Sequence, residues 1–151
     1  MRVYLPATLD TLSTLVRGGE WAAGGAAHAV TDDVRRSDPG GDLDSWEFDA
    51  FCDAADTSLR LLQAEPSAPD RRVVVSADVD DVAVQPAQGT DVASAVVVDA
   101  AVVLDAVAAV HLDGSDAEPL VRRVREGEPV ELLRDVALQW YDPSELDDVL
   151  A

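Results

Sequence analysis

The chain has 151 residues, of which 30 are acidic and 11 are arginine, and its formal net charge is −19 at pH 7. A charge of this size repels polyanions, so neither nucleic acid nor an anionic membrane surface is an expected partner. The length suits one domain with its own core, and we expect a single domain over residues 1–151.

Cys52 is the only cysteine of the chain, so the sequence predicts no internal disulfide. The N-terminal segment "MRVYLPATLD" contains no apolar run of the kind that a secretion signal needs. Both features are typical of a reducing compartment, and we expect a cytoplasmic protein. The arginines stand beside acidic residues, which predicts local ion pairs rather than a phosphate site. Their clusters are Arg35 with Arg36, Arg71 with Arg72, and Arg122 with Arg123 and Arg125.

The first predicted elements are a strand and a helix. The alternation in "RVYLPA" indicates a strand, and Thr8 is placed to cap a helix that ends at Gly18. The glycine-rich segment "RGGEWAAGG" predicts a mobile loop. Residues 26–30 then predict a short strand, and Thr31 is placed to cap a short helix.

The clearest predicted element is a long helix from about Asp42 to Ala64, with Asp42 as its cap. Acidic residues recur along one face, and the opposite face is expected to pack against a sheet. That apolar face consists of Phe48, Phe51, Cys52, Ala55, Leu59 and Leu62. Because Cys52 lies on this face, we expect a small core residue there rather than a nucleophile.

The most apolar stretch of the chain is "VVVDAAVVLDAVAAVHLDG", residues 96–114. A membrane span is excluded, because Asp99 and Asp105 would each cost about 2.5–3.5 kcal/mol near the centre of a bilayer. The stretch instead predicts short strands over residues 95–98, 102–104 and 107–112, with the two aspartates at the bends.

The C-terminal third predicts a helix, a short helical turn in "EPVELLRDV", a strand and a final helix. Ser115 and Glu118 have the spacing of a capping box, "ALQWYD" indicates a strand, and Asp142 is placed to cap a final helix. The segments that begin at Val3 and at Val110 share a strand, a capping residue and a helix in the same order. This repetition suggests a duplicated β-α-β unit.

Together these elements predict an α+β fold in which one long and several short helices pack on a mixed sheet of about five or six strands. The expected topology is ferredoxin-like or a duplicated β-α-β arrangement, with the long helix across one face of the sheet.

Four segments carry a resemblance to a known family. "MRVYLPATLDTL", "AHAVT", "SLRLL" followed by "RRVVVSADV", and "VAAVHLD" resemble, in the same order, a family of small acidic single-domain proteins of unknown function from high-GC actinobacteria, which begin M-R-V-Y-L-P-A. The resemblance covers nearly the whole chain and implies a free-standing cytoplasmic protein. It implies no activity, cofactor or catalytic residue.

The sequence contains no catalytic or metal-binding motif, so we predict no catalytic, cofactor or metal residues, and it leaves open whether the protein is an enzyme. His28 and His111 lie on predicted strands, where two histidines could hold a metal together with Asp78 or Asp113. No ligand spacing supports such a site. The favoured alternative is a pair of half-buried histidines bonded to the backbone or to an acid.

Two functional hypotheses follow from the strand residues. Trp140 and Tyr141 are neighbours on one strand, so one ring must point away from the core, where aromatic rings are typical of interfaces. The first hypothesis is therefore a non-enzymatic cytoplasmic protein that binds another protein or forms a homo-oligomer. The alternative is a small-molecule binding protein or enzyme with a pocket at the strand ends near Tyr4, His28 and His111.

Overall fold

The computed structural model describes residues 1–22 and 25–151. Within these residues the strands are β1 (Arg2–Ala7), β2 (Glu20–Ala22), β3 (Ala26–His28), β4 (Val73–Asp78), β5 (Val84–Pro86), β6 (Ala95–Val98), β7 (Ala101–Val103), β8 (Val107–Leu112) and β9 (Gln139–Tyr141). The α-helices are α1 (Leu9–Gly18), α2 (Asp32–Ser37), α3 (Leu43–Ala64), α4 (Glu118–Arg125) and α5 (Leu146–Val149). Short 3-10 turns cover Asp81–Ala83, Leu104–Ala106, Ser115–Ala117, Val130–Leu133 and Pro143–Glu145.

Seven strands form the main sheet in the order β5-β6-β3-β1-β4-β8-β9, and β2 pairs with β7 in a separate two-stranded sheet. Every strand pair in the described residues is antiparallel. The predicted α+β class is therefore confirmed. The sheet is antiparallel and not mixed as predicted. It also has more strands than predicted, because two short strands from the segment between β4 and β8 extend it on the far side of β3.

Different helices cover the two faces of the sheet. Successive side chains of a strand point to opposite faces, so one strand can contribute to both helix contacts. On one face, here called the α1 face, Val3 and Leu5 of β1 pack with Leu12 and Leu15 of α1. On the other face, the α3 face, α3 packs across β1 and β4. Small side chains mediate that contact, so the helix lies close to the sheet: Ala50, Ala54 and Ala55 meet Tyr4 and Val74.

The connectivity differs from the predicted ferredoxin-like or duplicated arrangement. Strands β3 and β4 lie on either side of β1 and are joined through α3, which makes one β-α-β unit. The predicted repeat fails because its two helices lie on opposite sides of the sheet. Helix α1 packs on the α1 face, whereas α4 packs against α3 through Leu62 and Val121.

The apolar stretch at residues 96–114 forms strands of the predicted kind. It contains β6, β7 and β8, with Asp99 between the first two and Asp105 in the 3-10 turn before the third. None of the described helices is long and apolar enough to cross a bilayer.

Two local predictions were wrong. Ser115 does not cap a helix, because a 3-10 turn over Ser115–Ala117 intervenes and α4 begins only at Glu118. The segment expected to be a mobile loop contains β2, which pairs with β7; its residues 23 and 24 lie outside the described part. The predicted caps Thr8, Thr31 and Asp42 are confirmed, since each side chain accepts a backbone N–H.

All seven clustered arginines form ion pairs, but only Arg35, Arg36 and Arg123 pair with an acid nearby in the sequence, as predicted. Asp113 is fully buried and accepts two hydrogen bonds from the Arg72 guanidinium, from Nε at 2.8 Å and from Nη2 at 2.9 Å. The other pairs are more exposed: Arg35 with Asp32, Arg36 with Asp33, Arg71 with Glu118, Arg122 and Arg125 with Asp70, and Arg123 with Glu128.

Candidate functional site

A groove of about 800 Å³ opens on the α3 face of the sheet, beside α3. Its floor is formed by β1, β4, β8 and β9, and its outer wall by residues 130–138. Both phenylalanines of the chain, one of its two tyrosines and one of its three tryptophans line this space. We call it the aromatic groove, and its rings are Tyr4, Phe48, Phe51 and Trp140.

Phe51 is at the centre of the ring cluster. Its ring centroid lies 6.3 Å from that of Tyr4, edge to face, and 6.4 Å from that of Phe48, in a stacked arrangement. The two phenylalanines are three positions apart on α3 and therefore project from the same side of the helix. Phe48 remains 64% exposed and Trp140 60% exposed. These two rings form apolar walls that no described residue covers.

The placement of Phe48 corrects the predicted apolar face of α3. Leu59 and Leu62 are buried as expected, but Phe48 faces the open groove and not the sheet. The contact with the sheet is made by alanines, including Ala50 and Ala54, which are fully buried. The alanines allow a close approach of the helix, and the phenylalanines are consequently displaced to its flank.

His111 lies on the floor of the groove. Its Nε2 is 2.9 Å from Ser76 Oγ on the neighbouring strand, and its ring meets the Phe51 ring edge to face, at 4.7 Å between centroids. Burial, with a smaller contribution from the Arg2 charge, lowers the pKa of His111 to about 4. The ring is therefore neutral at pH 7. Its Nδ1 bonds to no described residue, so one polar atom remains available to a ligand.

Tyr4 and Glu47 form the polar end of the groove. The Tyr4 hydroxyl donates to Glu47 Oε2 at 2.9 Å. Burial first, and then this hydrogen bond to the carboxylate, raise the pKa of Tyr4 well above its ordinary value. The phenol therefore stays protonated, and its O–H is used in the hydrogen bond to Glu47.

Cys52 and Asp56 lie one turn apart on α3 and also line the groove. Burial raises the pKa of the Cys52 thiol, and the charges of Asp56 and Asp49 raise it further. The pKa of Asp56 is also raised, first by desolvation and then by the charge of Asp53. The thiol is accordingly protonated at neutral pH. The prediction of a small core residue was wrong, because Cys52 is only partly buried and lines the groove.

The outer wall is held in place by contacts on both sides of the groove. Arg72, which is buried against Asp113, donates from Nη2 to the Val136 carbonyl at 3.2 Å. Leu133 is buried in the cluster between α3 and α4, and Leu138 packs against the core cluster under α3. The wall is thus anchored to the sheet and to the helices.

Three of the five candidate residues from the sequence meet in this groove, namely Tyr4, His111 and Trp140. The pocket lies on the face of the sheet, however, and not at the strand ends. Tyr141 points to the α1 face, where it packs against the main core, and its hydroxyl donates to Gln139 Oε1 at 2.8 Å.

His28 shares the α3 face with Tyr4, its register partner on β1, but it is not among the groove-lining residues. Its Nδ1 lies 2.8 Å from Ser94 Oγ and its Nε2 lies 2.9 Å from Thr57 Oγ1. Burial lowers the pKa of His28. Both histidines are therefore bonded to hydroxyl groups. The expectation that they bond to the backbone or to an acid was wrong. No metal-binding group of three His, Cys, Asp or Glu side chains occurs in the described residues.

The sequence-based reasoning missed Phe48, Phe51 and the wall at residues 130–138 as parts of the site. A usable signal was present, because the only two phenylalanines of the chain stand three positions apart on one helix. The wall gave no such signal, since its side chains become a boundary only after α4 returns the chain to the sheet.

Comparison with known proteins yields a family but no characterised relative. No curated protein and no solved structure matches the chain. The model of a family of unknown function, DUF6912, matches residues 1–150. Because that match spans almost the entire chain, the protein belongs to the DUF6912 family.

Proposed function

We propose that the protein is a binding protein that takes a small organic ligand into the aromatic groove. The observation that carries this proposal is the gathering of four aromatic rings around one space of about 800 Å³. Ligand sites commonly have this size and combine apolar or aromatic walls with a few polar atoms. Here the Nδ1 atom of His111 and the hydrogen-bonded Tyr4–Glu47 pair supply the polar atoms.

The exposure of Phe48 and Trp140 supports a ligand in this position. Burying a large apolar side chain contributes roughly 1.5–3 kcal/mol, and folding of the chain leaves most of this contribution unrealised at Phe48 and Trp140. A ligand that covers both rings would obtain it on binding. Exposed apolar surface gathered in one concave patch is typical of interaction sites.

The protonation states of His111, Tyr4 and Cys52 favour binding over proton-transfer catalysis by these groups. An efficient general acid or base has a pKa near the working pH. The pKa of His111 is far below neutrality, while those of Tyr4 and Cys52 are raised. These three groups consequently keep one protonation state at pH 7.

The proposal is tested with the neutral fluorescent probe N-phenyl-1-naphthylamine. We expect saturable binding by the wild-type protein and loss of most of it in the double variant Phe48→Ala/Trp140→Ala. The matched control is Val82→Ala, because Val82 is an exposed apolar residue outside the groove. Undiminished binding by a folded double variant would overturn the assignment, as would a wild-type protein that binds neither this probe nor 2-phenylethylammonium.

A protein partner is a second candidate, favoured by the position of Trp140. Strand β9 is the last strand of the sheet, and its exposed tryptophan stands beside the free edge. An edge strand of this kind can pair with another chain. The molecular mass from light scattering tests this candidate. A wild-type dimer that becomes a monomer in folded Trp140→Ala supports it, and a wild-type monomer opposes self-association through this edge.

We also propose a cytoplasmic location without nucleic-acid or membrane partners. The unpaired Cys52 and the net charge of −19 support this proposal. The arginine clusters support it further, because their positive charges are already matched by neighbouring carboxylates. Fractionation of the native cells checks the location, and a DNA-binding titration at low salt checks the partner class.

A further inference from the structure

The charges around the aromatic groove are unevenly balanced. Four carboxylates line it, and none of them forms an ion pair with a described residue. They come from the helix on one side and from the outer wall on the other. These residues are Glu47, Asp56, Glu131 and Asp135.

The arginines that line the groove offset at most one of these four carboxylates. Arg2 is paired with Asp78, to which its Nε donates at 2.8 Å. Arg72 is paired with buried Asp113. Only Arg134, among the lining arginines in the described residues, forms no ion pair. The groove therefore has an excess of negative charge that its own basic residues leave unmatched.

Asp56 is a groove carboxylate whose ionised form is disfavoured by its surroundings. Its pKa is raised by desolvation and by the nearby charge of Asp53, so the ionised form is disfavoured beside α3. A ligand with a positive charge would relieve this repulsion, and a ligand with a negative charge would increase it. The aromatic rings favour the same sign of charge, because the face of an aromatic ring attracts cations.

On the basis of the proposed function, we infer that the ligand is a small organic cation, with an ammonium group attached to an aromatic or alkyl body. The body covers Phe48 and Trp140, and the ammonium group lies between the ring faces and the carboxylates of α3 and the outer wall. Anionic metabolites such as phosphate esters are disfavoured by the same charges.

The inference is tested with three soluble probes that share a phenyl ring and differ in charge. They are 2-phenylethylammonium, 2-phenylethanol and 3-phenylpropionate. Binding is followed by the indole N–H signals in a proton–nitrogen NMR spectrum, in which Trp140 is identified by its loss in Trp140→Phe. Trp21 and Trp46 lie outside the groove-lining set and serve as internal controls.

We expect the ammonium probe to shift the Trp140 signal and to leave the signals of Trp21 and Trp46 unchanged. At low salt it should bind at least about ten times more tightly than the alcohol. The carboxylate should bind least. In Glu131→Gln/Asp135→Asn the affinity for the ammonium probe should fall toward that for the alcohol, whose own affinity stays unchanged. The control Glu126→Gln/Asp147→Asn removes the same charge at exposed positions outside the groove and should bind like wild type.

Several outcomes would overturn the inference while leaving the proposed function in place. One is equal or tighter binding of the alcohol, and another is binding of N-phenyl-1-naphthylamine without binding of the ammonium probe. Equal weakening in the control variant would indicate attraction to the whole acidic surface. A shift of Trp140 by a short lysine–phenylalanine peptide alone would assign the groove to a protein partner and would overturn the proposed function as well. If neither the ammonium probe nor N-phenyl-1-naphthylamine binds, the proposed function itself fails.

Discussion

Ser76 and His111 are joined across strands β4 and β8 by a hydrogen bond of 2.9 Å between Ser76 Oγ and His111 Nε2. The bond uses one ring nitrogen of His111 and holds the ring at the floor of the aromatic groove, with its edge toward Phe51. The second nitrogen is left to the groove. His111 thereby links two strands through Nε2 and offers Nδ1 to a ligand.

The low pKa of His111 makes the stability of the protein depend on pH. The folded value is about 4, below the value of about 6.5 for an unfolded chain. Between these pH values the unfolded chain binds the proton and the folded one does not, so stability falls as the pH drops from about 6.5 to 4. Because the ring is partly exposed, we expect a loss of about 2 kcal/mol rather than the full equivalent of the shift.

Urea unfolding of the wild-type protein and His111→Gln at pH 7.5 and pH 4.5 measures this effect. Glutamine can keep a hydrogen bond to Ser76 but cannot titrate, so the stability of wild type relative to the variant should be lower at pH 4.5. The carboxylates titrate in both proteins and cancel in the comparison. If the difference in the free energy of unfolding between wild type and His111→Gln is the same at both pH values, the pKa of His111 is not lowered in the folded protein.

The buried ion pair of Arg72 and Asp113 should be costly to break. Asp113→Ala leaves the buried guanidinium without a counter-charge, and we expect a loss of about 3–5 kcal/mol in the free energy of unfolding. Arg72→Met combined with Asp113→Leu should recover part of this loss, because no buried charge remains unpaired. The control is Asp33→Ala, which removes the exposed partner of Arg36 and should cause little measurable change.

Chemical denaturation of the four proteins gives these values. A loss for Asp113→Ala no larger than that for Asp33→Ala would contradict the buried pair. The same variant should also loosen the outer wall of the groove, because Arg72 holds the Val136 carbonyl. Faster amide hydrogen exchange around residue 136 in Asp113→Ala would report that loosening.

Phe48 should be nearly dispensable for folding. Its side chain is 64% exposed, so we expect Phe48→Ala to reduce the free energy of unfolding by less than about 1 kcal/mol. Leu62 is fully buried, and Leu62→Ala on the same helix should cost about 2–5 kcal/mol. Thermal or urea unfolding of both variants checks the contrast. Equal losses would mean that Phe48 is packed in the native state.

The Cys52 thiol should react slowly with disulfide reagents at pH 7.5, because burial and neighbouring carboxylates raise its pKa. The reaction rate of the native protein with 5,5′-dithiobis(2-nitrobenzoate) should lie below that of glutathione and should rise on unfolding. Asp56→Asn removes the charge that raises the pKa of Cys52 most and should increase the native rate a few-fold. Asp10→Asn on α1 serves as the control, and an equal increase there would rule out a local effect of Asp56.

The sequence by itself determined most of the local structure, because the signals for local structure lie within a few neighbouring residues. Thr8, Thr31 and Asp42 are caps whose partners stand three positions away. The strands around Asp99 and Asp105 were visible in the same way, since an acid interrupts an apolar run. The α+β class follows from these elements, and the ion pairs of Arg35, Arg36 and Arg123 follow from acids that are close in the sequence.

Only the tertiary structure decided the strand order and the composition of the groove. The strand order depends on which side of β1 the chain returns to after α3. The residues of β3 and β4 carry no local pattern that predicts this side. The groove depends on long-range packing: buried alanines bring α3 close to the sheet, and this approach displaces Phe48 to the side where Trp140 arrives with the last strand. Because Phe48 and Trp140 are so far apart along the chain, their presence in one groove is a property of the packing and not of any local pattern.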